Sequence, residues 1–340
     1  MVIERAAIII PTFNGAQRIE RCLQALRNEI GRRDIGIVVV DDGSTDSTCS
    51  VVGKYPKVRL ITQANAGPAA ARNRGAQESQ GSILLFTDDD CEPAPGWLDE
   101  MLAPFEDRGV TGVKGVYRTR QRSLIARFVQ KEYEDRYRRM KEFENIDFVD
   151  TYSAGFRREA FLEMGGYDTS FTLACAEDIE LSYRMSNRGW RMKFAPDAAV
   201  FHTHPATFFG YLRKKYKFAY WRMLALRNNP GKAIQDSHTP QLMKCQLLFA
   251  PLLMTAMVVD LFFGLAVPFS IFVLAAFLAS TIPFAIRVAS TDFSVALLSP
   301  LLLASRSVAQ FLGVSAGAVH AMRRPLSAGR TQSVQRQSGD

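Results

Sequence analysis

Short apolar runs alternate with segments of helical spacing through the start of the chain. Ala6–Ile10 is an apolar run closed by Pro11. Ile35–Val40 is β-branched and closed by Asp41-Asp42-Gly43, Val58–Thr62 is a third run, and Ile83–Phe86 is a fourth, followed by Asp88-Asp89-Asp90. Between them, Gln17–Asn28 carries Ile19, Leu23 and Leu26 at helical spacing. Asp46–Lys54 has Asp46 or Ser44 near a helix N-cap, and Pro68–Gln77 is Ala-rich with its proline in the first turn. Strands alternating with helices predict βαβ units, an α/β fold with a mostly parallel sheet. Ligands of such sheets sit outside the carboxyl ends of the strands. The polar clusters fall there: Thr12-Phe13-Asn14, Asp41-Asp42, Gln63 with Asn65, and Asp88–Asp90.

The pattern then changes. Arg118–Lys141 is highly charged with interleaved aromatic and aliphatic residues, which predicts one or two amphipathic helices. Thr207–Arg227 mixes aromatic and basic residues, as a helix lying in a membrane interface does. From Leu247 to Ile286 the one charged residue is Asp260. That run is long enough for two membrane crossings of about 20 residues each, placed at Gln246–Val267 and Pro268–Ile286. A third apolar segment, Phe293–Met322, contains Arg306, Gly313 and Gly317 and is expected to be interfacial or re-entrant. The expected division is a soluble α/β domain at 1–205, interfacial helices and linker at 206–245, membrane helices at 246–322 and a disordered basic tail at 323–340.

Composition agrees with a two-part chain. At 340 residues, 47% hydrophobic and 22% charged, it is neither a disordered chain, a collagen-like fibre nor a disulfide-rich mini-protein. The mean hydropathy of −0.04 averages over the division. Seven Lys/Arg and no acid lie between Arg213 and Lys232, within a net charge of +8. Beside apolar spans, that excess points to anionic lipid head groups rather than nucleic acid. Five scattered cysteines (Cys22, Cys49, Cys91, Cys175 and Cys245) without metal-type spacing suit a reducing compartment. The N-terminal apolar run is too short for a signal peptide, so the soluble part is expected to face the cytoplasm, as in a multi-pass inner-membrane protein. Arg323, Arg324, Arg330 and Arg336 favour a cytosolic tail, which two crossings satisfy and three would not.

Four clusters can carry chemistry, and each also has a plain structural reading. Asp88-Asp89-Asp90 is either the oxygen-ligand set of a divalent cation or an acidic turn capping the next helix. Asp41-Asp42-Gly43-Ser44 either accepts hydrogen bonds from a base and ribose or closes a strand with an Asx turn. Asn65–Asn73 allows close backbone approach and aims Arg72 at a phosphate or base, or is an ordinary turn and helix. Glu177-Asp178 occupies a helix first turn, as a general base or as helix-dipole partners.

Taken together, PTFN (11–14), VVDDGSTDST (39–48), NAGPAAARNRG (65–75), FTDDD (86–90), GGYD (165–168), EDIELSYR (177–184) and VFH (200–202) resemble the family-2 inverting glycosyltransferases of the GT-A fold, in the membrane-anchored bacterial form. The resemblance covers residues 5–205 in order. It implies a Rossmann-like sheet with flanking helices, followed by C-terminal membrane segments. It implies nucleotide-sugar contacts from Thr12, Asp41, Asp42, Arg72, Asp88 and Asp89. Mn²⁺ or Mg²⁺ would be held by Asp88, Asp90 and His202, with His204 the rival histidine. Asp178 would be the catalytic base with Glu177 beside it, and Tyr152, Ser153, Gly155 and Trp190 would lie on the acceptor side. The implied activity moves one sugar from a nucleotide-diphospho-sugar to a hydroxyl of a lipid-linked or glycan acceptor in cell-surface polysaccharide synthesis. Cys91 stands where a further acid often follows the D-x-D pair, removing one ligand. Ala219-Tyr220-Trp221-Arg222 replaces the Q-x-x-R-W motif of processive synthases, which favours single-sugar transfer. The alternatives are a sugar nucleotidyltransferase, disfavoured by a Thr12–Arg18 loop with one Gly and one Arg, and a non-catalytic membrane scaffold.

Overall fold

The computed structural model describes residues 5–31, 33–171, 176–234, 236–264 and 268–323. Cys175 and the tail from Arg324 lie outside them. Eight strands form one sheet: β1 (Ala6–Thr12), β2 (Gly36–Asp41), β3 (Val58–Thr62), β4 (Ile83–Phe86), β5 (Glu92–Pro93), β6 (Val110–Arg118), β7 (Ala154–Arg157) and β8 (Arg191–Phe201). The soluble helices are α1 (Ile19–Ile30), α2 (Thr48–Val52), α3 (Pro68–Glu78), α4 (Trp97–Leu102), α5 (Leu124–Met140), α6 (Arg158–Glu163) and α7 (Glu177–Asn187). Then follow α8 (Phe208–Asn228), α9 (Gly231–Ile234), α10 (Gln241–Phe263), α11 (Phe269–Ala289) and α12 (Phe293–Arg323).

The strand order is β3-β2-β1-β4-β7-β6-β8-β5. β3, β2, β1 and β4 are mutually parallel. β7 runs antiparallel to both β4 and β6, while β6 and β8 are parallel. The sheet is therefore mixed, and its antiparallel insertion sets up the site. Because β7 is reversed between two strands of the other sense, its N-terminal end meets the carboxyl ends of β4, β6 and β8. Phe86 pairs with Ala154, and Arg118 with Phe201. Asp88–Asp90, Tyr152, Tyr117 and His202 thus arrive at one edge.

The strands are held by apolar faces on both sides. All of β1 is buried, and α1 buries Ile19, Cys22, Leu23, Leu26 and Ile30, a stripe of three- and four-residue spacing. Asn73 of α3 clasps the 165–168 turn. Its Nδ2 donates to the Tyr167 carbonyl and its Oδ1 accepts from the Tyr167 N–H, both at 2.8 Å. Gly166, at φ 69°, is required there, since a Cβ would lie 2.4 Å from Asn73 Oδ1.

Three helices, α10, α11 and α12, are long and apolar enough to cross a membrane. The first begins at Gln241, five residues earlier than expected, and the second ends at Ala289. The third, expected to be interfacial or re-entrant, is α12. It is one continuous helix of 31 residues, with Pro300 inside it. It packs along α8, and Gly313 and Gly317 make that approach possible. A Cβ on either would sit 2.4 Å from the carbonyl of Tyr216 or Tyr220 of α8.

Ion pairs hold described residues within 206–245, where interfacial helices and a linker were expected. Buried Asp236 accepts from Arg222 at 2.9 Å and pairs with Lys244 at 3.1 Å, and Lys232 pairs with Asp147 at 2.6 Å. A buried charge cluster joins the membrane helices to the sheet domain. Glu132 of α5 takes Arg306 of α12 at 2.7 Å and Lys215 of α8 at 2.9 Å. Burial favours neutral Glu132, yet Lys215 and Arg306 hold it down at about 2. Burial pulls Lys215 down to about 7 even with Glu132 beside it.

Candidate active site

The loops after β1 and β2 interlock first. Asn14, at φ 48°, a region asparagine tolerates, accepts the Thr45 N–H at 2.9 Å, while its own N–H donates to Ser44 at 2.8 Å. Beneath them Thr12 donates to Asp89 at 2.7 Å, and Arg18 completes Asp89 at 3.0 Å. Asp42 accepts from the backbone N–H groups of Ala66 and Gly67 at 2.9 and 2.8 Å and from Gln63 at 2.7 Å. Thr12, Asp42 and Asp89, each expected at the nucleotide, also fix the strand-end loops through these hydrogen bonds. Asp41 is different. Its Oδ2 accepts the Ser44 N–H at 3.2 Å, but its Oδ1 is buried with no hydrogen-bond partner among the described residues.

Arg72 joins two elements. Its guanidinium is buried and bridges Asp88 at 2.6 Å and Glu177 at 2.9 Å. It ties the β4 turn to the first turn of α7. Glu177 is fully buried, while Asp178 is half-buried and lines the cavity. Asp178 accepts the Ile179 N–H at 2.8 Å. Burial and the neighbouring Glu177 charge push its carboxyl up to about 7. A carboxyl poised near neutrality in a cavity has the acidity a general base needs.

Asp90 lies on the same wall, its Oδ1 3.4 Å from His202 Nδ1. Burial works against the carboxylate, but His202 holds it below the usual range. His202 stacks on Tyr117 at 4.5 Å, and Tyr117 on Tyr152. His204 takes no part: it is buried against Gln130 at 3.0 Å, and burial lowers it to about 3. Cys91 Sγ lies 4.0 Å from His202 Nδ1 and 3.6 Å from Asp90 Oδ1, so the position that breaks the acidic pattern returns as a third potential donor. Its burial raises the thiol well above its ordinary value, which leaves carboxylate and imidazole as the ready ligands. That oxygen-and-nitrogen pair beside an open cavity fits a divalent cation that completes its shell with substrate oxygens.

The cavity above these groups holds about 850 Å³. Of the acceptor-side expectations, Tyr152 lines it. Ser153 is buried, accepting from Trp97 Nε1 at 2.9 Å, and Gly155 is packed between Leu85 and Phe105 in the core. Trp190 precedes β8, whereas His202 follows it. At about 3.3 Å per residue, β8 carries them to opposite edges of the sheet. Sequence reasoning missed Lys114, a lysine inside the apolar β6. It is fully buried, paired with Asp150 and donating to the Tyr152 hydroxyl at 3.0 Å. A charged residue at an inward strand position was the available signal. Arg136 and His238 also line the cavity and carried no signal, because they reach it from α5 and from the loop before α10.

The family described as glycosyl transferase family 2 matches residues 7–165. Glycosyltransferase AglE of Haloferax volcanii is 30% identical over 219 residues, covering 62% of this chain and 69% of that protein. A pre-mycofactocin glycosyltransferase of Mycobacterium tuberculosis is 28% identical over 209 residues, covering 58% of this chain and 42% of that protein. Among solved structures, mannosyltransferase PcManGT from Pyrobaculum calidifontis, in complex with GDP-Man and Mn²⁺, superposes with a TM-score of 0.59 at 24% identity, covering 94% of this chain and 87% of that one. The last likeness is one of fold.

Proposed function

The chain belongs to glycosyl transferase family 2, and from that premise we propose that it moves one sugar from a nucleotide-diphospho-sugar to an acceptor hydroxyl with inversion at the anomeric carbon. The observation that carries this reading is the meeting of Asp90, His202 and Asp178 around one cavity, with Asp178 raised to about 7. The base and ribose lie at the carboxyl ends of β1–β3, where Asp41 Oδ1 stands open. Asp90 and His202 would hold Mn²⁺ or Mg²⁺, with Asp88 adjoining. A bound cation supplies charge neutralisation for the leaving diphosphate.

The chain's own residues do the rest. Asp178 accepts the proton of the acceptor hydroxyl as that oxygen bonds to the anomeric carbon and the bond to the diphosphate breaks. Glu177 and Arg72 position it: the Arg72 bridge fixes α7 against the β4 turn, so base and diphosphate sites keep one spacing. The α10–α12 helices hold the catalytic domain at a membrane, with the sheet facing the cytoplasm and basic α8 against anionic lipid. The nucleotidyltransferase alternative gains nothing, because the β1 loop has its N–H groups engaged by Ser44, Thr48 and Asp46.

The test is a screen of UDP-, GDP- and dTDP-sugars for Mn²⁺-dependent binding and hydrolysis by the purified chain. At least one donor is expected to bind, with binding reduced at least tenfold when the metal is chelated. Binding to none refutes the assignment.

A further inference from the structure

The acidic turn after β4 offers fewer free carboxylates than its sequence suggests. Asp88 is held by Arg72 at 2.6 Å. Asp89 is held by Thr12 at 2.7 Å and by Arg18 at 3.0 Å. Glu92, two residues beyond Asp90, pairs with Arg120 at 2.7 Å. Asp90 has His202 and Cys91 as its side-chain neighbours. One carboxylate and one neutral imidazole leave a divalent cation half neutralised, and a second anionic ligand would complete the balance.

The strand register brings one into place. β5 and β8 pair antiparallel, with Glu92 opposite Phe201 and Pro93 opposite Val200. One step back along that register sets Cys91 opposite His202, and residues directly opposite share a face of the pair. The Cys91 N–H donates to the Asp88 carbonyl at 3.1 Å, which pins the turn, and stacking on Tyr117 at 4.5 Å holds the His202 ring. Asp90 Oδ1 lies 3.4 Å from His202 Nδ1 and 3.6 Å from Cys91 Sγ, and Sγ lies 4.0 Å from Nδ1. A tetrahedral ion with bonds of about 2.0–2.3 Å spaces its ligand atoms about 3.3–3.6 Å apart. Octahedral Mg²⁺, with bonds of about 2.0–2.1 Å, brings adjacent ligands to about 2.9 Å. The triangle is nearer the first spacing. A thiol that coordinates such an ion gives up its proton and becomes the second anion.

We propose, resting on the reading of Asp90 and His202 as the residues that hold the cation, that Cys91 is a third protein ligand, and that its sulfur shifts the site's preference from Mn²⁺ and Mg²⁺ toward Zn²⁺ and Co²⁺. Thiolate and imidazole suit Zn²⁺, whereas carboxylate suits Mg²⁺ and Mn²⁺. The residue that breaks the acidic pattern thus takes the place of the missing acid. Asp90 and His202 line the cavity, which leaves the remaining coordination position to a substrate oxygen.

The experiment uses the full chain in non-ionic detergent, stripped with a chelator and reloaded with Co²⁺. Absorption is expected to show one Co²⁺ per chain with a near-ultraviolet sulfur-to-metal charge-transfer band. Cys91→Ser should lose that band, while Cys22→Ser and Cys245→Ser keep it. X-ray absorption at the zinc edge of the Zn²⁺-loaded wild-type chain should show one sulfur at about 2.3 Å, a readout that needs no variant to fold. Cys91→Asp should lower the ratio of Zn²⁺ to Mn²⁺ affinity at least tenfold. A band retained in Cys91→Ser, a zinc edge without a sulfur neighbour, or an unchanged ratio in folded Cys91→Asp overturns the proposal. Metal-dependent nucleotide-sugar binding to the wild-type chain is read in the same preparation. Its failure counts against the transferase reading, whereas intact donor binding without a sulfur ligand counts against this inference alone.

Discussion

Asp178 and Arg72 show how single side chains set the chemistry. Asp178 works as a base when ionised, and its carboxyl is raised to about 7. Transfer should therefore rise with pH from 5.5 and level off above about 7, a profile read from initial rates at saturating donor. The same shift has a stability consequence. A carboxyl whose folded value exceeds its unfolded one stabilises the fold below the unfolded value, near 3.9, and that contribution is lost as pH rises through about 7. Asp178→Asn should thus gain stability over the wild type at pH 8 and less at pH 5, measured by thermal unfolding. Arg72 answers two carboxylates while buried. Arg72→Met removes the guanidinium that bridges Asp88 and Glu177, and breaking a buried pair costs about 3–5 kcal/mol. Denaturant unfolding should show that loss, and an unchanged midpoint would contradict the bridge. At the metal position, Asp90→Ala should abolish the Mn²⁺-dependent part of nucleotide-sugar affinity, seen by titration with and without the metal.

Elements were far more legible than contacts. β3 and β4 occupy the spans their apolar runs define, and α3 and α8 lie within a residue of theirs, because local pattern and turn residues agree. The antiparallel insertion of β7 was hidden, since four residues with no alternation carry no sense of direction. The same gap hid where Ser153, Gly155 and Trp190 sit. Sequence order puts them near the Asp178 helix, while pairing buries the first two and sends Trp190 to the far edge. Polar side chains in motif positions were legible as a set, but not which of them hold loops and which stay open. Asp41 and Asp42 are adjacent, and one partner set in the 63–67 turn separates their roles. The glycine signals do have mechanical content. Gly166→Ala forces a left-handed backbone and a clash with Asn73, and should cost about 1–3 kcal/mol. Gly317→Leu should prise α12 from α8, read as protease sensitivity between α11 and α12.

At the scale of the whole molecule, the long apolar helices and the sheet domain are joined by buried contacts. The Glu132–Arg306–Lys215 cluster and the α8–α12 packing place α12 along a wall of the reaction cavity. That explains why Phe293–Met322 looked unlike a simple span: its glycines meet α8, its arginine meets Glu132, and another stripe faces the cavity. The basic excess seen in the sequence falls largely on α8, which packs along α12. The central claim is that Asp178 activates the acceptor while the neighbouring groups bind the donor. The most direct measurement compares wild-type and Asp178→Asn chains in one preparation, for Mn²⁺-dependent donor binding and for sugar transfer to membrane lipid extract. Donor affinity within about twofold and a transfer rate reduced about 10²–10⁴-fold is the predicted result. Transfer retained at a substantial fraction of the wild-type rate would contradict it.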